Sequence, residues 1–218
     1  MEERIVHSKP TIWMSTQFTG KRNDIEGCYA IDPDAERFDD QFSDNPVKRG
    51  SNWESYHVEK FSDIGIPFVI KQINKSLSRK EGVFRGLHFQ SDHPQAKIVE
   101  CYAGIALVVV LDTRVGSPTF GNVVSCILEP TCGIMLHAPK GVAHGFLALE
   151  NNTRYQYLCD EVYLPEEDRG ITFKDHRIMN VFNVYSPFKI GNLIVNPRDT
   201  NFPTLDEALN AGNYLPKY

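Results

Sequence analysis

Between about Arg49 and Val181 the chain alternates short apolar stretches with turn residues every ~8–12 positions, the pattern of an all-β domain. The spacing predicts strands at Phe68–Gln72, Phe84–Phe89, Ala96–Ala103, Ile105–Asp112, Val123–Leu128, Gly133–Ala138, His144–Leu149 and Thr153–Cys159. Gly116-Ser117-Pro118, Glu129-Pro130, Pro139-Lys140-Gly141 and Asn151-Asn152 punctuate them with turn chemistry. Ile105 to Leu111 is apolar at both parities, which reads as a strand covered on both faces. Nearly all the helix signal lies near the C-terminus, where Thr204-Leu-Asp-Glu207 fits a capping box that opens a short helix and Gly212 can close it. Many short strands with little helix predict a mainly β chain, a jelly-roll β-barrel or sandwich over residues 46–218. Residues 1–45 carry mixed signals and read as an extended arm with one or two strands.

Composition narrows the partners. The 218 residues include 23 Lys+Arg and 28 Asp+Glu, a net charge of −5, which disfavours a protein that coats nucleic acid or an anionic membrane. A small anionic ligand needs only a few local cations. The longest apolar run is far too short to span a bilayer, and the first residues do not form a secretory signal. Five scattered cysteines imply neither a disulfide framework nor a zinc knuckle, so a cytoplasmic location is expected.

Several ionisable residues interrupt the strand signals. Arg85 and His88 lie in Arg-Gly-Leu-His-Phe-Gln, Lys97 in Gln-Ala-Lys-Ile-Val, His144 in Gly-Val-Ala-His-Gly-Phe and Tyr157 in Arg-Tyr-Gln-Tyr-Leu. Any one of them alone is more often a solvated outer-face residue. Register offers a sharper test. If Asn151-Asn152 is a two-residue hairpin loop, Ala148 opposes Tyr155 and Phe146 opposes Tyr157. His144 and Tyr157 then become diagonal neighbours on one inner sheet face, where they require a polar partner or a ligand. A slip of one residue would flip them all. Arg85 and His88 have opposite parity. Either a bulge at Gly86 realigns them or Arg85 serves a neighbouring subunit's site. The seven histidines include no His-x-His pair and no carboxylate at a cupin-type metal spacing, so no metal ligand is assigned. No nucleophile elbow, dinucleotide fingerprint or phosphate-binding glycine loop is present.

The segments Arg85–Gln90, Gln95–Val99, Gly116–Gly121, Gly141–Leu147 and Tyr163–Ile171 together resemble the dTDP-4-dehydrorhamnose 3,5-epimerase family. Arg49–Tyr56 is similar to its early Arg-Gly…Glu-Ser motif, and Asn196–Asp199 to its late Lys/Arg-Asp segment. The likeness spans about Arg49 to Leu209. It implies a homodimeric, cupin-like jelly roll without metal or redox cofactor. The implied activity inverts C3 and C5 of a nucleotide-diphosphate-linked 4-keto-6-deoxy sugar through an enolate, in deoxysugar biosynthesis. By position, the resemblance makes His88 the base, Tyr157 the acid that returns a proton from the opposite face, Lys97 the enolate stabiliser and Asp199 the group that holds His88. Arg49, Glu54, Gln72, Asn74, Arg85, Lys97, His144, Asp168 and Arg198 match substrate-binding positions; for Gln72 and Asn74 the match needs a one-residue insertion nearby.

These residue types suit the reaction. A proton α to a ketone needs a base with a pKa near neutrality. An ammonium can answer the charge that develops on the carbonyl oxygen, and arginines suit a diphosphate. The chain departs from the family at Val108, where many relatives carry an acid, at Asp168, which replaces a Glu, and in the long arm. A single-carbon epimerase or ketoisomerase is the alternative activity. A carbohydrate-binding jelly roll without catalysis and a metal cupin are alternatives of other classes. Trp53 and Tyr163 are candidates for contacting the nucleotide base.

Overall fold

The computed structural model describes residues 11–14, 25–32, 54–131 and 133–218. Arg49 and Trp53 lie outside the described residues. Twelve strands are described: β1 (Thr11–Met14), β2 (Tyr29–Asp32), β3 (Gln72–Ser78), β4 (Val83–Gln90), β5 (Lys97–Ala103), β6 (Ala106–Asp112), β7 (Val123–Leu128), β8 (Met135–Ala138), β9 (Val142–Ala148), β10 (Thr153–Cys159), β11 (Asp168–Gly170) and β12 (Ile194–Val195). They form two sheets, one ordered β1-β2-β8-β5-β10-β3 and the other β11-β4-β9-β6-β7 with β12 beside β4. Four helices accompany them: α1 (Val58–Asp63), α2 (His176–Tyr185), α3 (Pro197–Thr200) and α4 (Leu205–Asn210). The architecture is the expected two-sheet jelly roll. No helix among the described residues is long and apolar enough to cross a membrane.

Side-chain alternation builds three apolar layers. Between the sheets lie Val99, Val108, Val110, Leu136, Phe146 and Tyr155. The opposite faces of β4, β6 and β9 pack Phe84, Leu107, Val109 and Leu147 against Ile178 and Phe182 of α2 and Leu205 of α4. The outer face of the first sheet packs Ile98, Met135 and Leu158 against Phe61 of α1 and Phe68. β6 is therefore covered on both sides, as its unbroken apolar sequence requires, and all seven of its residues are buried.

β7 and β10 begin and end where the pattern predicts. β3 does not. Its strand runs Gln72–Ser78 rather than Phe68–Gln72, because Phe68 turns inward to the α1 layer instead of pairing. The all-β signature also overran α2. Asp175 caps that helix by accepting from the Arg177 N–H, and Ile178 and Phe182 repeat at i and i+4 on its buried side. The terminal capping box is present in both directions at Thr204 and Glu207.

The Asn151-Asn152 hairpin expectation is corrected. β9 pairs with β4 and β6, whereas β10 pairs with β3 and β5. The turn carries the chain from one sheet to the other, and Ala148 and Tyr155 are not cross-strand partners. Asn152 takes φ 61°, a left-handed conformation that Asn tolerates.

Candidate active site

At one end of the sandwich the sheets enclose a cavity of 780 Å³. The first sheet contributes Gln72, Asn74, Lys97 and Tyr157; the second contributes Arg85, His88, His144 and Asp168; α3 adds Arg198 and Asp199. His144 and Tyr157 meet as the sequence anticipated, with ring centroids 6.3 Å apart, but across the gap between sheets rather than on one face. The alternation argument placed both inward correctly; the pairing partner was wrong.

The parity conflict at Arg85 and His88 is resolved within the strand. Arg85 pairs Phe146 and His88 pairs His144, so β4 spends one extra residue between two pairs that are two apart on β9. Gly86 takes φ 122°, and a Cβ there would meet the Gly145 Cα at 2.6 Å, so only glycine fits. The bulge turns Arg85 and His88 toward one cavity and leaves Phe84, Leu87 and Phe89 facing the α2 layer. It also releases the Gly86 N–H, which donates to Asp199 Oδ2 at 3.1 Å. Asp199 Oδ1 accepts from His88 Nε2 at 2.9 Å, leaving Nδ1 as the basic nitrogen of that ring. Burial alone would raise the Asp199 carboxyl. The hydrogen bond and charge of His88, the Gly86 N–H and Arg198 together hold it below its ordinary value. Phe202 packs edge-on to His88, with centroids 5.7 Å apart, and fixes the ring from the side.

Opposite stand two groups whose protons are set by burial. Lys97 is buried, and loss of solvent lowers its pKa against the opposing influence of Cys159, Asp168 and Asp160. Burial raises the Tyr157 pKa, with Cys159 adding to the effect and the Arg85 charge opposing it. The phenol thus stays protonated at neutral pH. His144 is driven well below the ordinary imidazole value by burial, then by the charges of Lys97 and His88.

The mouth is laced by charge and amides. Asp168 accepts from Arg198 Nη2 at 2.7 Å and from the Tyr163 hydroxyl at 2.9 Å. Gln72 donates to Asn74 Oδ1 at 3.1 Å and accepts from the Tyr163 N–H at 2.8 Å. Sequence reasoning missed Gln90. Its amide donates to the carbonyls of His93 and Val162 and accepts from the Leu164 N–H, so it fastens the segment that carries Tyr163. Its inward parity with His88 beyond the bulge was the available signal. Glu54 does not line the cavity; it is exposed and pairs with Lys60 at 2.9 Å. Among the described residues no three His, Cys, Asp or Glu side chains gather as a metal-ligating group.

Comparisons with known proteins point to one family. The family model described as dTDP-4-dehydrorhamnose 3,5-epimerase matches residues 22–207. The chain is 37% identical over 190 residues to the dTDP-4-dehydrorhamnose 3,5-epimerase of Escherichia coli strain K12, covering 86% of this chain and 95% of that one. It is 43% identical over 151 residues to the enzyme of that name from Mycobacterium tuberculosis strain H37Rv, covering 68% and 72%. The crystal structure of a dTDP-6-deoxy-D-glucose-3,5-epimerase from Legionella pneumophila, in complex with dTDP-4-keto-L-rhamnose, superposes with a TM-score of 0.77 at 30% identity. That match covers 96% of this chain and 98% of the other.

Proposed function

This chain belongs to the dTDP-4-dehydrorhamnose 3,5-epimerase family, and on that premise we propose how its cavity divides the chemistry among named residues. The protein is a nucleotide-sugar 3,5-epimerase of deoxysugar biosynthesis. In the reading we favour, His88 Nδ1 removes the proton α to the C4 ketone, and the C–H electron pair moves into the carbonyl to give an enolate. Lys97 supplies the positive charge that this oxygen meets. Tyr157 then delivers a proton to the opposite face of the same carbon and becomes a phenolate beside Arg85. Solvent resets the imidazolium and the phenolate, and the cycle repeats at the second carbon. No electrons are gained or lost.

The observation that carries this reading is the opposition of the two walls. His88 stands on β4 and Tyr157 on β10, strands of different sheets, with the cavity between them. Inversion needs a base and an acid on opposite sides of one ring, and a single wall could not supply both. Asp199 supports the base by fixing its Nε2–H and stabilising the imidazolium. Arg85, Arg198, Gln72, Asn74, His144 and Asp168 hold the substrate, with the arginines meeting the diphosphate. The substrate is a dTDP-linked 4-keto-6-deoxy sugar. Arg49 and Glu54 complete the nucleotide site as it assembles in a homodimer, and the enzyme works in the cytoplasm.

Incubation with the dTDP-4-keto-6-deoxy sugar in heavy water tests the reading. Deuterium at both C3 and C5 by NMR, lost in His88→Ala, is the expected result. Label at one carbon would reduce the activity to a single-site epimerase, and none would overturn catalysis. Sedimentation at micromolar concentration should give twice the chain mass.

A further inference from the structure

Behind the reacting groups lies a second imidazole–phenol pair, in which the substrate-binding His144 meets Tyr155, a residue the scheme leaves without a role. His144 Nε2 sits 2.8 Å from the Tyr155 hydroxyl oxygen. The two rings stack with 15° between their planes. Phe146 also stacks on Tyr155, ring centroids 4.0 Å apart and 16° from parallel. Tyr155 has no exposed surface and His144 keeps 7%, so the hydroxyl cannot turn to water instead.

Proton counting settles the direction of this bond. Among the described residues His144 is the hydrogen-bond partner of the Tyr155 hydroxyl. Were Nε2–H the donor, the phenol proton would be buried with no acceptor, an arrangement folded proteins avoid. With Tyr155 donating, the phenol proton and the Nε2 lone pair are both satisfied, and the proton of the neutral ring must sit on Nδ1. Burial, and then the nearby charge of Lys97, keep His144 from taking up a second proton. Burial likewise keeps the Tyr155 phenol protonated. With Nε2 engaged, Nδ1 is the nitrogen that this cavity-lining ring offers to a ligand.

We propose that Tyr155 is a positioning residue that locks His144 as its Nδ1–H tautomer, so that His144 gives the bound sugar a neutral hydrogen-bond donor and not a second base. The inference rests on reading the cavity as the ketosugar site. It matters chemically because a basic nitrogen on the same wall as His88 would compete for the substrate's protons. A fixed N–H donor instead orients a sugar oxygen without taking part in proton transfer.

Proton–nitrogen correlation NMR of the imidazoles tests the tautomer directly. Wild-type protein should show two buried Nδ1–H histidines, His137, whose Nδ1 meets the Gly27 carbonyl at 2.8 Å, and His144, the latter assigned by its absence in His144→Gln. Tyr155→Phe keeps the ring stack and removes only the hydroxyl; its spectrum should show the two tautomers mixed. Its kcat should fall about tenfold, with KM changed less than twofold, the loss of one oriented hydrogen bond. In a His144→Gln background the same change should cost nothing further, because Tyr155 acts through His144. An Nε2–H tautomer in the wild type would overturn the proposal. So would a Tyr155→Phe loss of equal size in both backgrounds, the mark of a packing role. If the wild type turned over no ketosugar, the catalytic reading would fall while the spectrum still decided the tautomer.

Discussion

Two buried charged clusters in this molecule invite comparison. Where β6 gives way to the loop before β7, Asp112 has no exposed surface, yet every lone pair is answered. It accepts from Arg114 Nε and Nη2 at 2.9 and 2.7 Å, from the Arg114 N–H at 3.0 Å, from Ser117 at 2.7 Å and from Thr119 at 2.6 Å. Arg114 in turn donates to the Glu26 carbonyl and lies over the Tyr218 ring, tying the turn before β2 and the C-terminal residue to the sandwich. In the cavity the balance is reversed. Lys97 is buried among groups that only partly offset its charge, and its pKa falls. A buried charge fully coordinated by its own chain is architecture. One left with unspent bonding capacity is held for a ligand, and the protein carries its desolvation cost until the ligand arrives.

The sharpest tests set the two clusters against each other. His88→Ala should lower kcat about 10³-fold, read as deuterium incorporation at C3 and C5, with a smaller loss of stability than Asp112→Ala because Asp199 keeps the Gly86 N–H. Asp112→Ala should show the inverse, losing about 3–5 kcal/mol of stability in urea unfolding by stranding the Arg114 charge, while the folded fraction retains its kcat. Lys97→Met should cost about 10²-fold in kcat and leave stability equal or higher, since an incompletely answered ammonium is gone. If Lys97→Met destabilised the fold as Asp112→Ala does, the distinction between the clusters would collapse. Tyr157→Phe should lower formation of inverted product about 10²-fold while deuterium exchange outlasts it.

The smallest expected effect is in pH. Asp199 has a carboxyl pKa below its ordinary value of 3.8 in the folded protein. Its contribution is present above that value and is lost as pH falls through the lower, folded one. Asp112 is held low by Arg114, Thr119 and Ser117 against the effect of burial, and follows the same sign. Asp199→Asn should flatten the acid limb of the melting curve below about pH 4, and Asp112→Asn should flatten it in the same sense.

How much of this was legible beforehand differed by the range of the interaction. β6 was read to within one residue because burial on both faces leaves an unambiguous apolar run. The bulge at Gly86 was one of two readings, forced by the parity of Arg85 and His88. The Asn151-Asn152 turn was read as a hairpin since local turn chemistry does not reveal whether the next strand pairs beside the last or crosses to the other sheet. That choice is made by long-range packing. α2 was missed because its Val, Phe and Tyr residues read as strand, although Asp175 marked its start. Most of the candidate site was visible as charged or aromatic residues in strands, motifs that the family resemblance sorted into roles. For Gln90 and Tyr155 parity could place the side chain inward, but nothing in a lone Gln or Tyr reveals which backbone groups or ring nitrogen it will meet.

The crossing at Asn151-Asn152 has an engineering consequence. Because the chain changes sheets there, β10, which carries Tyr157, is hydrogen-bonded to a different set of neighbours from β4, which carries His88. The walls that carry Tyr157 and His88 can therefore be altered as separate modules, with one tie: Cys159 of β10 pairs Lys97 of β5, so a transplanted β10 must keep that pairing.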